Sequence, residues 1–267
     1  DEVKSTTSIN INLNPNDTLI KIDAIKSSLQ RGQIPIGEIR LGIYGNEDPM
    51  YVLASMPFIA PDYASGWLLK DIQMDYLQKR FAKKGLMILY TTPWPGQGFY
   101  TKFPVNKVSD FKGKKLRIYS TATQQMGSML GFNATILPFA EIPQAFSTGL
   151  IEALFTSPQT GIDIQAWDNT KHFTYAGAIF SKNAVVVTTK AFNALSKKDQ
   201  GNLLAAAKNA ELRGWEMSSE TTKAQIATLE KNGMSAKNAP DAVISKMKSI
   251  GQEMIKTWRN TASPEAN

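Results

Sequence analysis

The sequence predicts an α/β protein of two lobes, and three observations predict it. The chain has 267 residues, more than one hydrophobic core usually serves, so two lobes of roughly 100 to 150 residues each are expected. Apolar positions at helical spacing lead into a glycine and then into a short apolar run, the rhythm of αβ units packed on a mostly parallel sheet. Finally, PWPGQG at 93–98 packs two prolines and two glycines together, so the chain turns irregularly there, at a first crossing between lobes.

Taken in order, SININLN (8–14) alternates apolar and polar residues and predicts a half-buried strand. Asn16 or Asp17 caps a helix on which Leu19, Ile20, Ile22, Ile25 and Leu29 recur at helical spacing until Gly32 stops it. IGEIRLGIYG (36–45) reads as a second strand, 66–84 as a helix with Gly85 as its C-cap, and LMILYTT (86–92) as the buried strand that follows. Beyond the crossing the rhythm shortens: strand KKLRIYS, helix TATQQMGSML, strand NATILPF, helix EIPQAFSTG and strand IEALFTS. A polar helix through Asp163 to Asp168 and a strand at Ala184 to Thr189 return the chain to the first lobe. Long helices over about 196–231 and 240–261 close it, the first with Leu203, Leu204, Ala207, Leu212, Trp215 and Met217 on its apolar positions. The expected lobes are 1–94 plus 182–222 and 95–181 plus 223–267, with a cleft between them suited to a small ligand and to hinge closure.

Composition excludes several functions. The chain has no cysteine, hence no disulfide, thiolate nucleophile or cysteine-held metal. Its single histidine, His172 in TKHFTY, reads as a structural residue on a strand, since one histidine makes no His-pair zinc site. GxSxG, GxxxxGK[ST] and GxGxxG are all missing, so Ser128, Ser147 and Ser157 have no hydrolase context and Gly96 and Gly98 read as turn residues. Glu216 and Glu220 stand at i, i+4, the ordinary pattern of a solvated helix face. The longest apolar runs, at 85–90 and 183–189, fall far short of the roughly 20 residues of a membrane helix. A net charge of +7 is compatible with nucleic acid, an acidic surface or a solute binder. The tightest basic cluster, Lys112, Lys114, Lys115 and Arg117, holds no stacking aromatic and no helix-turn-helix or zinc pattern, so nucleic-acid binding is not expected.

Between 111 and 157 the run FKGKKLRIYSTATQQMGSMLGFNATILPFAEIPQAFSTGLIEALFTS resembles the solute-binding proteins of tripartite ATP-independent periplasmic (TRAP) transporters. GKKLR, Gly131 and PFAEIPQAFSTGLIEA carry the resemblance, and GQIPIGEIRLGIYGNEDPMYVLASMPFIA before them and SKNAVVVTTKAFNALSKKDQGNLLAAAKNA after them extend it over nearly the whole chain. The resemblance implies a type II periplasmic-binding-protein-like fold with long C-terminal helices. It also implies one more N-terminal strand and helix than this chain carries before Ser8. The implied protein is a periplasmic monomer, not an enzyme, with no cofactor and no metal, that passes a small organic carboxylate to TRAP membrane subunits. A sensory binding protein feeding a receptor, or an enzyme on a similar two-lobed fold, is the alternative.

The same resemblance assigns the site. Arg117 matches the arginine that grips the ligand carboxylate, and a guanidinium fits a carboxylate through paired donors. The flanking Leu116 and Ile118 should bury on the face opposite it. Gln97 falls where some relatives place a second arginine and others glutamine, which favours a monocarboxylate, aromatic or of the 2-oxo or hydroxy acid kind, over a dicarboxylate or a sugar acid needing two cations. Ser120 matches a small polar carboxylate donor and Phe139 an aromatic that packs on the ligand body. Thr156 and Ser157 stand where the family has an acidic residue and an asparagine, so recognition of a ligand amine is not expected. Trp94 is a candidate aromatic wall, and Arg40 a candidate contribution from the first lobe.

Overall fold

The computed structural model describes residues 1–15 and 17–266; Asn16, one of the two expected helix caps, lies outside them. Its strands are β1 (Ile36–Arg40), β2 (Leu86–Pro93), β3 (Gly98–Thr101), β4 (Lys115–Ile118), β5 (Asn133–Ile136), β6 (Ala153–Thr156), β7 (His172–Tyr175), β8 (Lys182–Thr188) and β9 (Ser235–Asn238). Its α-helices are α1 (Glu2–Thr6), α2 (Ile25–Gln30), α3 (Tyr63–Ala82), α4 (Thr121–Met129), α5 (Ile142–Ser147), α6 (Pro158–Asp163), α7 (Thr189–Asn193), α8 (Lys197–Lys231) and α9 (Asp241–Thr261). The chain forms two compact units, one of residues 1–41, 70–93 and 182–217, the other of 42–69, 94–181 and 218–267. The sequence reading groups 42–69 with the first lobe. In the structure the Phe58 amide donates to the Ala178 carbonyl at 2.7 Å and the Trp258 indole to the Pro49 carbonyl at 2.7 Å, bonds that tie this segment into the second unit.

The first unit is built on a three-stranded sheet in the order β1-β8-β2, with both pairings antiparallel. The helix, glycine, strand rhythm predicted parallel pairing here. Gly85 does end α3 at φ +70, but β8, returning from far along the chain, inserts between β1 and β2 and reverses the direction at each ladder. The open edge of β2 is closed by Gln78 of α3, whose side chain both donates to the Ile88 carbonyl and accepts from the Ile88 amide. Residues 8–14, expected as a strand, pair with nothing regular, and Leu13 is 83% exposed; alternation makes a strand only where a neighbouring strand supplies the ladder. The helix expected from 17 onward is a 3₁₀ turn at Ile22–Ala24 followed by α2, with Leu19 left exposed and Gly32 ending it at φ +69.

The second unit carries a six-stranded sheet in the order β5-β4-β6-β3-β7-β9. Every strand except β3 runs the same way, since β4 is parallel to β5 and β6, β7 is parallel to β9, and β3 is antiparallel to both neighbours. Neither β3 nor β9 is visible in the sequence, being four residues long without clear alternation. The polar helix expected at 163–168 lies earlier, as α6, with a 3₁₀ turn at Ala166–Asp168. Both sheet faces are packed. Phe99, Phe111, Phe132 and Phe155 stack on one, with ring centroids 4.5 to 5.8 Å apart. Tyr100, Leu154, Phe173 and Leu229 fill the other. Buried side chains of this size stabilise by roughly 1.5–3 kcal/mol each, which fixes the sheet whose ends position the candidate site.

The first unit also buries three lysines, Lys26, Lys70 and Lys182. Lys70 is neutralised by Asp71 at 2.7 Å and Glu211 at 3.2 Å, whereas Lys182, 5% exposed, donates to the neutral Gln73 Oε1 at 2.8 Å. Burial first, and the Lys70 charge second, lower the Lys182 pKa to about 7, against the pull of Glu211 and Asp71. Between pH 7 and the ordinary lysine range, the unfolded chain holds a proton that the folded chain has released, so this group makes stability rise with pH across that window. Below pH 7 both states are protonated and the folded state bears the whole cost of burying the charge. Lys182→Met is therefore expected to raise the melting temperature at pH 6 and to lose most of that gain by about pH 10, as the unfolded lysine also discharges. Equal gains at both values in a pH series of thermal melts would count against it.

Candidate functional site

The six-stranded sheet gathers most of the sequence-predicted residues at one of its two ends. β4, β5, β6 and β7 all finish there, and the antiparallel β3 begins there. This is the carboxyl end of the parallel strands, where α/β folds place ligands because strand termini and helix N-termini leave oriented backbone groups. Arg117 and Ser120 come from the end of β4, Gln97 from the approach to β3, Thr156 and Ser157 from the end of β6, and Phe139 from the 3₁₀ turn after β5.

Arg117 is 2% exposed, and Leu116 and Ile118 beside it are fully buried. Its Nε donates to the Leu137 carbonyl at 3.0 Å, so the backbone just past β5 sets the direction of the guanidinium plane. Two residues on, Tyr119 lies on the same side of the chain, its ring centroid 5.9 Å from the guanidinium carbon, near enough for a cation–π contact. The Tyr119 hydroxyl donates to Gln97 Oε1 at 2.8 Å, and Gln97 Nε2 donates to Ser181 Oγ at 3.0 Å. Gln97 is 2% exposed and its backbone carbonyl accepts from the Ala176 and Gly177 amides. A buried hydrogen-bond chain thus runs from Tyr119, beside Arg117, through Gln97 to Ser181, and it fixes which way the Gln97 amide faces.

The two serines serve as N-caps. Ser120 Oγ accepts from the Thr123 amide at 3.2 Å and caps α4; Ser157 Oγ accepts from the Thr160 amide at 3.1 Å and caps α6. The Ser120 hydroxyl also lies 3.0 Å from Thr123 Oγ1, and Ser157 is matched by Thr160 in the same way. Capping satisfies one free helical amide in each case. Thr156 is buried opposite Gly98 across the β3–β6 ladder. Trp94 is half-buried and its amide donates to the Ser181 carbonyl at 2.8 Å. Phe139 is 43% exposed. Arg40 belongs to the first unit, where it pairs with Asn183 across β1–β8.

Three participants were not singled out from sequence: Tyr119, Ser181 and Tyr100. The same alternation that buries Leu116 and Ile118 also sets Tyr119 on the side of Arg117, so this residue was findable. Ser181 had no local signal, because its partner Gln97 is distant in sequence. Tyr100 is fully buried under the Ser157 carbonyl, to which it donates at 3.1 Å, and burial pushes its phenol well above the usual range. Burial likewise raises Tyr63 and Tyr175, so all three phenols stay neutral donors. His172 is half-buried at the start of β7, the other end of the sheet. Among the described residues no group of three or more His, Asp or Glu side chains is placed to hold a metal ion, and no helix is long and apolar enough to cross a membrane.

The profile described as bacterial extracellular solute-binding protein, family 7, matches residues 2–261. Among solved structures, the chain is 36% identical to DctP7 of Bordetella pertussis, an extracytoplasmic solute receptor binding pyroglutamic acid, with a TM-score of 0.96 over 99% of this chain and 89% of that one. It is 32% identical to a marine metagenome TRAP solute-binding protein specific for pyroglutamate and solved with the co-purified ligand, with a TM-score of 0.94 over 99% and 88% of the two chains. A solute-binding protein of Albidiferax ferrireducens is 25% identical over 265 residues, 97% of this chain and 77% of that protein.

The approach of Gln97 to the sheet depends on Gly98, where a Cβ would come within 2.5 Å of the Thr174 carbonyl oxygen and 2.9 Å of Tyr175 Cα. Neither backbone atom can step aside, so Gly98→Ala should cost about 1–3 kcal/mol and lower the melting temperature by several degrees. Unchanged melting by circular dichroism would show that the ladder yields more easily than these contacts imply.

Proposed function

The chain belongs to the family 7 bacterial extracellular solute-binding proteins, the receptors of TRAP transporters, and from that footing we propose that it captures a small monocarboxylate of the pyroglutamate class. The single observation that carries the reading is the buried Arg117, aimed by the Leu137 carbonyl and joined through Tyr119 to an oriented Gln97 amide. The guanidinium takes the carboxylate in a charge-assisted, bidentate contact. Gln97 then reads the polar group at the far side of the ligand, and the N-terminus of α4 at Ser120 adds a favourable dipole for an anion. Phe139 and Trp94 face the apolar part of the ring, and Thr156 and Ser157 complete the wall without a carboxylate.

Two relatives above 30% identity bind pyroglutamate, which supports a cyclic acid with one carboxylate and one amide. It narrows the monocarboxylate reading away from a simple aromatic acid. The protein works in the periplasm as a monomer, takes up the anion by hinge closure and releases it unchanged to the membrane subunits, with Arg40 of the first unit retained as a candidate ligand residue.

Titration calorimetry with pyroglutamate tests this. Arg117→Ala should weaken binding at least about 100-fold, equivalent to roughly 2.7 kcal/mol, the scale of a lost charge-assisted pair. Tyr119→Phe, which frees the Gln97 amide to turn, should weaken it by about threefold to tenfold. Retained affinity in Arg117→Ala, or tighter binding of a dicarboxylate such as glutarate, would overturn the assignment.

A further inference from the structure

The opposite end of the same sheet is lined with lysines. Past the ends of the strands the backbone ladder continues: the Glu152 amide donates to the Lys115 carbonyl, the Lys102 amide to the Glu152 carbonyl, the Lys171 amide to the Thr101 carbonyl and the Ser235 amide to the Lys171 carbonyl. These bonds set Lys115, Lys102 and Lys171 in a row across β4, β6, β3 and β7, with neighbouring strands about 4.8 Å apart. The connection from β3 to β4 lies at this end as well, and it adds Lys107, Lys112 and Lys114. Five of the six are exposed and Lys114 is half-exposed.

Of the carboxylates at this end, Asp110 and Glu152 are occupied, while the exposed Asp168 and Glu230 stand in the helical turns that lead into β7 and β9. Asp110 accepts from the Asn106 and Lys107 amides at 2.8 and 3.0 Å. Glu152 accepts from the Lys115 amide at 3.2 Å and lies 3.8 Å from Lys114 Nζ. Lys115 Nζ donates to the Gly149 carbonyl at 3.0 Å. The stems of Lys102 and Lys114 bring their ammonium groups over Phe146 and Phe103, at 5.7 and 4.9 Å from the ring centroids. These are cation–π contacts at an exposed sheet end, worth roughly 0.5–1 kcal/mol each, weak enough for the ammonium groups to exchange them for an anion.

We propose that this lysine-rich end is a docking surface for anionic phospholipid headgroups, holding the receptor at the membrane face where its transporter resides. Positive charges spread along a sheet end on flexible stems suit a fluid, planar array of phosphates better than one rigid peptide. The contact is weak, reversible and screened by salt. It uses none of the residues assigned to the ligand, which stand at the carboxyl ends of the strands.

The test is cosedimentation of the full chain with vesicles of phosphatidylcholine alone or with about 30% phosphatidylglycerol, at low salt and at about 0.5 M salt. Binding is expected only to the anionic vesicles at low salt. Replacing Lys102, Lys112, Lys114 and Lys115 by Gln together should lower the partition at least about tenfold, with pyroglutamate affinity unchanged as the sign of an intact fold. A matched variant with Lys198, Lys208, Lys246 and Lys256 replaced by Gln, all exposed elsewhere, should keep most of the binding although its net charge falls equally. No preference for anionic vesicles, or equal loss in both variants, overturns the proposal. So does binding that appears only when the transporter's membrane subunits are present in neutral vesicles, which would make the partner a protein.

Discussion

Arg117 carries a permanent charge into a place with 2% exposure, and a charge taken out of water costs several kcal/mol unless oriented dipoles replace the solvent. The second unit supplies such dipoles where its strands end. Parallel strands that finish together leave carbonyls and amides beyond the last ladder bond, and the Leu137 carbonyl is one of these, taking the Arg117 Nε. Short helices begin at once after β4 and β6, and their first turns are closed by Ser120 and Ser157. The aromatic stacks on both faces of the sheet keep these termini in register. The apolar core and the polar end are therefore one construction: without Phe99, Phe155, Tyr100 and Phe173 packed against each other, nothing would hold a guanidinium in a fixed direction.

What was legible in the sequence followed from short-range physics. Residues 196–231 and 240–261 read as helices because their apolar positions recur at helical spacing, and they appear as α8 and α9. Gly32 and Gly85 read as helix stops and adopt the left-handed φ that a stop uses. Pairing was not legible. The direction of β1 and β2 depends on β8, and no local pattern reveals that a distant strand will lie between them. The expected strand at 8–14 failed for the same reason, since alternation describes one chain and a sheet needs two. At the candidate site, Arg117 and Gln97 were picked out by resemblance to a family, whereas the Tyr119 link that joins them needed only the period-two rule applied one residue further. Ser181 needed the tertiary structure.

Net charge was the least informative sequence feature and becomes more so once placed. A surplus of +7 spread along a chain says little, because exposed lysines contribute mainly to solubility. The fold sorts the charges of the second unit into two kinds. Arg117 is buried, directed and tied to a polar chain, the condition under which a cation recognises one anion with geometry. The lysines at the amino ends of the strands are exposed or half-exposed, the condition under which cations respond to a field and to its screening. The same sheet presents both, one at each end.

Selectivity within the proposed ligand class rests on the difference between a second cation and an oriented amide. A primary carboxamide offers two N–H donors and two acceptor lone pairs. In Gln97 one donor is given to Ser181 and one lone pair is filled by Tyr119, which leaves one of each in a fixed orientation. A ring lactam answers with one carbonyl and one N–H. A second carboxylate offers acceptors only; it satisfies the remaining N–H, faces the remaining lone pair with repulsion, and retains a desolvated charge. An unpaired buried group of that kind costs more than the roughly 0.5–1.5 kcal/mol a neutral hydrogen bond returns. In the proposed assignment, a single arginine with an orientation-locked glutamine therefore favours one charge and one amide over two charges, and Tyr119, by locking the amide, is the residue that enforces that proposed preference.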